Sequence, residues 1–286
     1  MTNQSKCVLL TGANSGIGLA TCKMLSQSGY YVFAGAKDDN GIKLLSDQNI
    51  KNVEPVLLNL QNNEHFTKVL DTIESYCKSK GTFHALINNA AFAIGSPIEL
   101  TDIEGIKQSF QVNVFGLIEL TKTLLPISRK YQSRIVNISS TNAFISSPYL
   151  GIYSATKFAL EGINDALRIE LLKWGIKVIT IYPDVVKTPI FDKAIPISYN
   201  RFELHDIEQQ KLYKTEFDMF NKLVRELESK GVEPEVIAKS ILKSLTAINP
   251  KKSYYPEKNA KIKLFLKNIL SKNMLDKILI KELSNK

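Results

Sequence analysis

Between residues 7 and 181, short apolar runs alternate with amphipathic stretches of helical period, and no other feature of the 286-residue chain restricts its fold as strongly. Residues 7–10, 31–34, 53–58, 83–87, 134–138 and 177–181 read as strands. Between them, residues 17–28, 42–46, 63–80, 102–125 and 151–174 carry apolar side chains at helical spacing, with Gly29 and Gly81 as stop signals after the first and third. Apolar strands separated by helices of this length imply parallel strands joined by right-handed crossovers and covered on both faces. The expected fold class is therefore α/β: a doubly wound parallel sheet flanked by helices on both faces, with ligands at the carboxyl ends of the strands. Beyond Pro183 the alternation weakens into a loop with Pro189 and Pro196, helical patterns at 204–230 and 234–247, a last strand at 253–255 and a helical C-terminal extension. One sheet can absorb the whole length, so residues 1–286 are expected to form a single domain. Within it, about 190–235 reads as a substrate-covering region and about 257–286 as a basic helical tail.

Charge and special residues narrow the function classes. Cys7, Cys22 and Cys77 show neither a disulfide pattern nor ligand spacing, and His65, His84 and His205 lie far apart, so no metal site is expected. The first residues are polar and no apolar run approaches the length of about 18 needed to span a bilayer, which suggests a cytoplasmic protein with at most peripheral membrane contact. Of the net charge of +9, residues 251–286 supply +7, with ten lysines against Glu257, Asp276 and Glu282. The rest is nearly balanced, which argues against a nucleic-acid binder and draws attention to the tail.

Two motifs carry chemistry. Thr11-Gly12-Ala13-Asn14-Ser15-Gly16-Ile17-Gly18 lies between the first strand and first helix, where glycines let backbone N–H groups approach a pyrophosphate. In Tyr153-Ser154-Ala155-Thr156-Lys157, the tyrosine and lysine are four apart and share a helix face. An ammonium near a phenol is expected to lower the phenol's pKa from about 10 toward working pH, so that it can exchange a proton with a substrate oxygen.

Taken together these residues resemble the short-chain dehydrogenase/reductase family over at least residues 6–190, in the single-domain branch that includes retinol and hydroxysteroid dehydrogenase-like members. The similar positions are the turn at 11–18, Asn88-Asn89-Ala90 after the fourth strand, Asn113, Ser140, Tyr153 and Lys157, with Ser140 at the family's usual interval of 13 residues before Tyr153. The resemblance implies a Rossmann-type fold and an NAD(P)-dependent oxidoreductase interconverting a carbonyl and an alcohol by hydride transfer. It implies Tyr153 as general acid/base, Ser140 as the group that positions and polarises the substrate oxygen, Lys157 on the nicotinamide ribose, and Asn113 in a water-linked proton relay. The implied cofactor contacts are Thr11, Gly12, Asn14, Ser15, Gly16, Ile17, Gly18, Lys37, Asn59, Leu60, Asn89, Ala90, Tyr153, Lys157, Pro183, Val186 and Thr188. The family's Asn-Asn-Ala-Gly is Asn88-Asn89-Ala90-Ala91 here, its Asp-Leu is Asn59-Leu60, and Asp184 replaces the glycine of its Pro-Gly. A homodimer or homotetramer is the family's habit.

At the end of the second strand stand Ala36 and Lys37, where an acid would select NAD(H), so NADP(H) is favoured through charge pairing of Lys37 with a 2′-phosphate. Asp38 and Asp39 remain able to fold back onto the ribose. Phe191, Ile195, Ile197, Tyr199 and Phe202, with Phe144 and Tyr149, suggest an apolar lining and a lipophilic small-molecule substrate. In the tail, Ile262, Phe265, Leu266, Ile269 and Leu270 recur at helical spacing among lysines, which fits a docked terminal helix or a surface helix on anionic lipid. The alternatives to a lipophilic-ketone enzyme are a 3-oxoacyl-carrier-protein reductase and a catalytically silent nucleotide-binding sensor or scaffold.

Overall fold

The computed structural model describes residues 5–284. Along the chain run β1 (Ser5–Leu10), α1 (Gly16–Gln27), β2 (Tyr31–Ala36), α2 (Asp39–Ser46), β3 (Val53–Leu57), α3 (Asn63–Ser79) and β4 (Gly81–Asn88). There follow α4 (Ile103–Phe110), α5 (Gly116–Tyr131), β5 (Arg134–Ile138), α6 (Gly151–Glu170), β6 (Lys177–Ile181), α7 (Ile190–Phe202), α8 (Ile207–Ser229), α9 (Pro234–Thr246), β7 (Ser253–Tyr254), α10 (Lys258–Ile269) and α11 (Lys272–Ser284). The seven strands form one parallel sheet in the order β3-β2-β1-β4-β5-β6-β7. The order reverses between β1 and β4, which opens a crevice at their carboxyl ends.

Alternate strand residues face two separate cores. Val8, Leu10, Ala34 and Ile87 pack with Cys22 and Leu25 of α1 and Ile237 and Ile241 of α9. On the other face Leu9, Phe33 and Leu86 pack with Phe66 and Ile73 of α3 and Leu120 and Leu124 of α5. Coverage on both faces is why the strands read as unbroken apolar runs. A chain of buried side-chain hydrogen bonds also ties the sheet to α6: Asn88 Nδ2 donates to Asn137 Oδ1 (2.8 Å), Asn137 to Asn164, and Asn164 to Thr180 Oγ1 (3.1 Å).

Several boundaries differ from the sequence reading. Gly81 follows the end of α3, as its stop signal implies, and also opens β4, paired with Ser5 of β1. The helix expected to stop at residue 125 runs through Pro126 to Tyr131, because Leu124, Ile127 and Ser128 stay buried and that burial offsets the one hydrogen bond a proline removes. Its start is interrupted by a π turn at Gln111–Phe115. Pro196 lies inside α7, not in a loop, since Ala194, Ile195, Ser198 and Phe202 hold that helix by its buried face. The tail is two helices, broken where Leu270 turns extended. No helix among the described residues is long and apolar enough to cross a membrane.

Candidate active site

The turn after β1 is clamped to the end of β4. Thr11 Oγ1 accepts the N–H groups of Asn89 (3.0 Å) and Ala90 (2.9 Å), while the Asn89 amide donates to the carbonyls of Thr11 and Gly12, both at 3.0 Å. Gly12 has a φ of +62°, and a Cβ there would lie 2.8 Å from Ala90 Cα. A Cβ on Gly18 would lie 2.1 Å from the Gly12 carbonyl oxygen, so α1 can start this close to β1 only with glycine. Ser15 precedes α1 without capping it by its side chain, which leaves the first N–H groups of the helix for an anion. A pyrophosphate fits this cradle. Ile17 itself packs partly into the core, Asn14 faces Gly41 at the start of α2, and Thr188 stands beside Gly16.

The adenosine end is less closed. Lys37 leaves β2 with its side chain 78% exposed, 3.7 Å from Asp38. Asp38 caps α2 by accepting the Gly41 N–H (2.8 Å). The main chain at Asn59 is held by His65, whose Nδ1 accepts the Asn59 N–H (3.0 Å). Leu60 is buried beneath it, against Gly116.

Catalytic candidates meet at the carboxyl end of β5. Lys157, one helical turn after Tyr153 on α6, is buried and donates to the Ile138 carbonyl (3.0 Å), with its Nζ 5.6 Å from the centre of the Tyr153 ring. Ser140 Oγ accepts the Asn142 N–H (3.1 Å), and Ser140 lies near enough to Tyr153 to favour its phenolate. The sequence leads one to expect a lowered phenol pKa. Instead burial pushes Tyr153 up to about 12, against a smaller pull downward from Ser140, and pushes Lys157 down to about 8, opposed by Glu161. Burial disfavours either charged form, and it outweighs the neighbouring charge. Glu161, four residues beyond Lys157, accepts from Ser139 Oγ (2.8 Å) and from the Tyr182 hydroxyl, and burial raises its own pKa. That spacing from Lys157 was visible in the sequence and went unused.

Asn113 lies in the π turn with its amide fully engaged. Oδ1 accepts the Phe92 N–H (2.8 Å), and Nδ2 donates to the Phe92 carbonyl (2.7 Å) and Thr156 Oγ1 (3.1 Å). At the Pro183 loop, Asp184 takes the family's glycine position without needing a left-handed backbone. Its Oδ1 accepts from Thr141 Oγ1 (2.7 Å) and from Lys263 Nζ (2.5 Å), and its N–H donates to Glu257 Oε1 (2.7 Å). Val186 is buried and bridges to Val232. Beyond this loop a cavity of about 180 Å³ opens between α7, α8, α10 and α11. Of the expected lining Phe191 faces it, whereas Phe202 and Tyr199 pack on Phe217 and Phe144 packs on Tyr182.

The short chain dehydrogenase family profile matches residues 6–196. The chain belongs to that family. An NADPH-dependent 3-dehydrocapnine reductase of Ornithobacterium rhinotracheale is 32% identical over 283 residues, 96% of each chain. A 3-ketodihydrosphingosine reductase of Bacteroides thetaiotaomicron is 32% identical over 248 residues, 86% of each. A solved short chain dehydrogenase/reductase of Burkholderia phymatum in complex with NAD superposes with a TM-score of 0.77 at 19% identity, covering 93% of this chain and 94% of that one; it shows the fold. This short-chain dehydrogenase is an NAD(P)-dependent oxidoreductase acting on carbonyl or alcohol groups.

Lys157 gives a pH-dependent signature. With its pKa at about 8 against the usual 10.5, the unfolded chain binds more protons between these values, so this group's contribution to stability rises with pH through that window. Its full cost is present below pH 8. Lys157→Met should therefore be more stable than the parent at pH 7 and should lose this rise, as read by urea unfolding at pH 7 and pH 9.5; equal pH dependence in the two proteins would contradict the assignment.

Proposed function

We propose that the enzyme is an NADPH-dependent reductase of lipophilic ketones, in which Tyr153 gives the proton, Ser140 positions and polarises the substrate oxygen, and Lys157 holds the nicotinamide ribose. The observation that carries this reading is the meeting of Ser140, Tyr153 and Lys157 at the end of β5. Thr11, Gly12, Asn14, Ser15, Gly16, Ile17 and Gly18 would cradle the pyrophosphate. Asn59, Leu60, Asn89 and Ala90 would flank the adenosine side, and Pro183, Val186 and Thr188 the nicotinamide end. When bound, the nicotinamide supplies the hydride. Ser140 donates a hydrogen bond to the substrate oxygen while Tyr153 passes its proton to that oxygen as negative charge develops there. A phenol held up near 12 is protonated at neutral pH, which suits reduction. Asn113 would support a water-linked relay from the π turn, where Phe92 and Thr156 hold its amide in place.

NADP(H) preference rests on the open Lys37 ammonium and on Asp38 being engaged as a helix cap. Neither a carrier-protein reductase nor a silent scaffold explains as much, because the tail helices wall the cleft and the Ser-Tyr-Lys set is intact. The outer face of the tail exposes Phe265 (62%), Ile269 (62%) and Ile280 (61%) among Lys261, Lys267, Lys272, Lys277 and Lys281, a composition suited to peripheral contact with anionic lipid. Exposed Phe115, Ile169 and Leu172 support self-association into a homodimer or homotetramer near α5 and α6, which light scattering would read as multiples of 32.1 kDa.

With long-chain ketones and NADPH followed at 340 nm, Tyr153→Phe should lower kcat/KM by roughly 10²–10⁴-fold. In the same assay Lys37→Asp should turn the preference toward NADH. Undiminished turnover by the Tyr153 variant would sink the proton-donor role, and an unchanged nucleotide preference would sink the role of Lys37. In co-sedimentation, the protein should follow vesicles containing anionic lipid and be released by salt; equal binding to neutral vesicles would defeat the electrostatic contact.

A further inference from the structure

The cavity beyond Ser140 is divided by chemistry. Its lining includes the polar Thr141, Asn142, Asp184 and Lys263, of which Thr141 and Asn142 directly follow Ser140 in the chain. Much of the remaining lining is hydrocarbon, with Leu223 and Leu227 of α8, Leu266 of α10 and Leu275 and Leu279 of α11.

Asp184 is the fixed half of the pair. Its side chain is 5% exposed, it accepts from Thr141 and Lys263, and its main-chain N–H is anchored on the buried Glu257. Lys263 is the accessible half, 40% exposed on the cavity side of α10. An ammonium carries three donors, and the structure gives this one a single hydrogen bond, to Asp184. Two N–H groups can therefore meet a ligand in a largely apolar surround, where a charge-assisted bond is strong. Residues 251–286 carry ten lysines against three acids, a positive balance that favours the approach of an anion.

We propose that Lys263, steadied by Asp184, is the headgroup site of the cleft, and that the substrate is a single-chain amphiphile with an acidic head group close to its ketone and its hydrocarbon chain between α8 and α11. The proposal rests on the reading that this cleft takes the carbonyl substrate. The head group lies toward Thr141 and Lys263, next to Ser140, while the chain runs along Leu227, Leu275 and Leu279. The recognised chemistry is that of a phosphonate, sulfonate or carboxylate.

Isothermal titration calorimetry on the full chain with octylphosphonate and 1-octanol, both below micellar concentration, tests the site without turnover. The phosphonate should bind at least ten-fold more tightly than the alcohol, a difference of about 1.4 kcal/mol. Lys263→Gln should bring it down to the alcohol's affinity, and Lys263→Arg should retain most of the preference. Equal affinities for the two probes would overturn the proposal. A preference that survives Lys263→Gln would also overturn it, and would point to the helix N-terminus at the glycine turn as the anion's site. Because binding is read directly, failure to reduce any ketone would defeat the reductase reading while leaving the headgroup result legible, and the converse holds.

Discussion

The whole site depends on how closely the turn after β1 approaches the end of β4. Strand order reverses there, so the sheet leaves a crevice that only the loops can shape. Thr11 and Asn89 bridge it with four hydrogen bonds. Each is worth about 1 kcal/mol net, so their larger effect is on geometry: they hold two backbones at contact distance and leave no room for a Cβ at Gly12. A looser turn would accept other residues, but it would not aim the N-terminus of α1 into the crevice. The same approach brings Asn89 and Ala90 beside Gly12 and Thr188 beside Gly16, so both flanks of the cleft are set by one contact region.

At the end of β5, three consecutive residues are fastened by α6 and its neighbours. The Ile138 carbonyl accepts from Lys157, the Ser139 hydroxyl donates to Glu161, and Ser140 accepts from Asn142 in its own turn beside Tyr153. Such fastening matters because misplacement of a reacting group by about 1 Å can cost on the order of 100-fold in rate. It also has an electrostatic consequence. Burial moves Tyr153 up and Lys157 down from a single cause, the loss of water around whichever form is charged. Glu161 opposes the loss of the lysine's charge.

Strands β5 and β6 were legible to the residue, because each is a short run of β-favouring side chains covered on both faces. The glycine turn and the Tyr153/Lys157 pair were legible because their spacing is local. Where sequence reading fell short, a distant contact had outweighed a local rule. Pro126 and Pro196 look like breaks, yet both lie in helices held by buried faces. Spacing along α6 gave the proximity of Lys157 to Tyr153 but could not give how dry that corner is. Asp184 was visible as a departure, but its partners Glu257 and Lys263 lie 73 and 79 residues away, and no local pattern encodes such contacts.

Those contacts explain why an acid can stand where the family has glycine. Moving a carboxylate out of water is costly unless it is paired and hydrogen bonded, and removing one partner of a buried pair is worse than never having had it. Asp184 has Thr141 on one side and the tail on the other, while Glu257 bonds the N–H groups of Asp184 and Val185, and Tyr255 stacks on Tyr182 at 4.8 Å. Residues 255–263 thus close over residues 182–185, the segment that leads from β6 to Thr188 beside the glycine turn. The tail and the loop stabilise each other: without Lys263 and Glu257 the loop would hold an unpaired buried acid and unsatisfied N–H groups, and without Asp184 the buried Glu257 and half-exposed Lys263 would lose their partners. A tail that served only to cover the core would need no charges on its inner side. Here those charges hold the loop after β6, and two of them, Asp184 and Lys263, also line the cavity between α8 and α11, so the C-terminal helices are built into the loop and the cavity wall together.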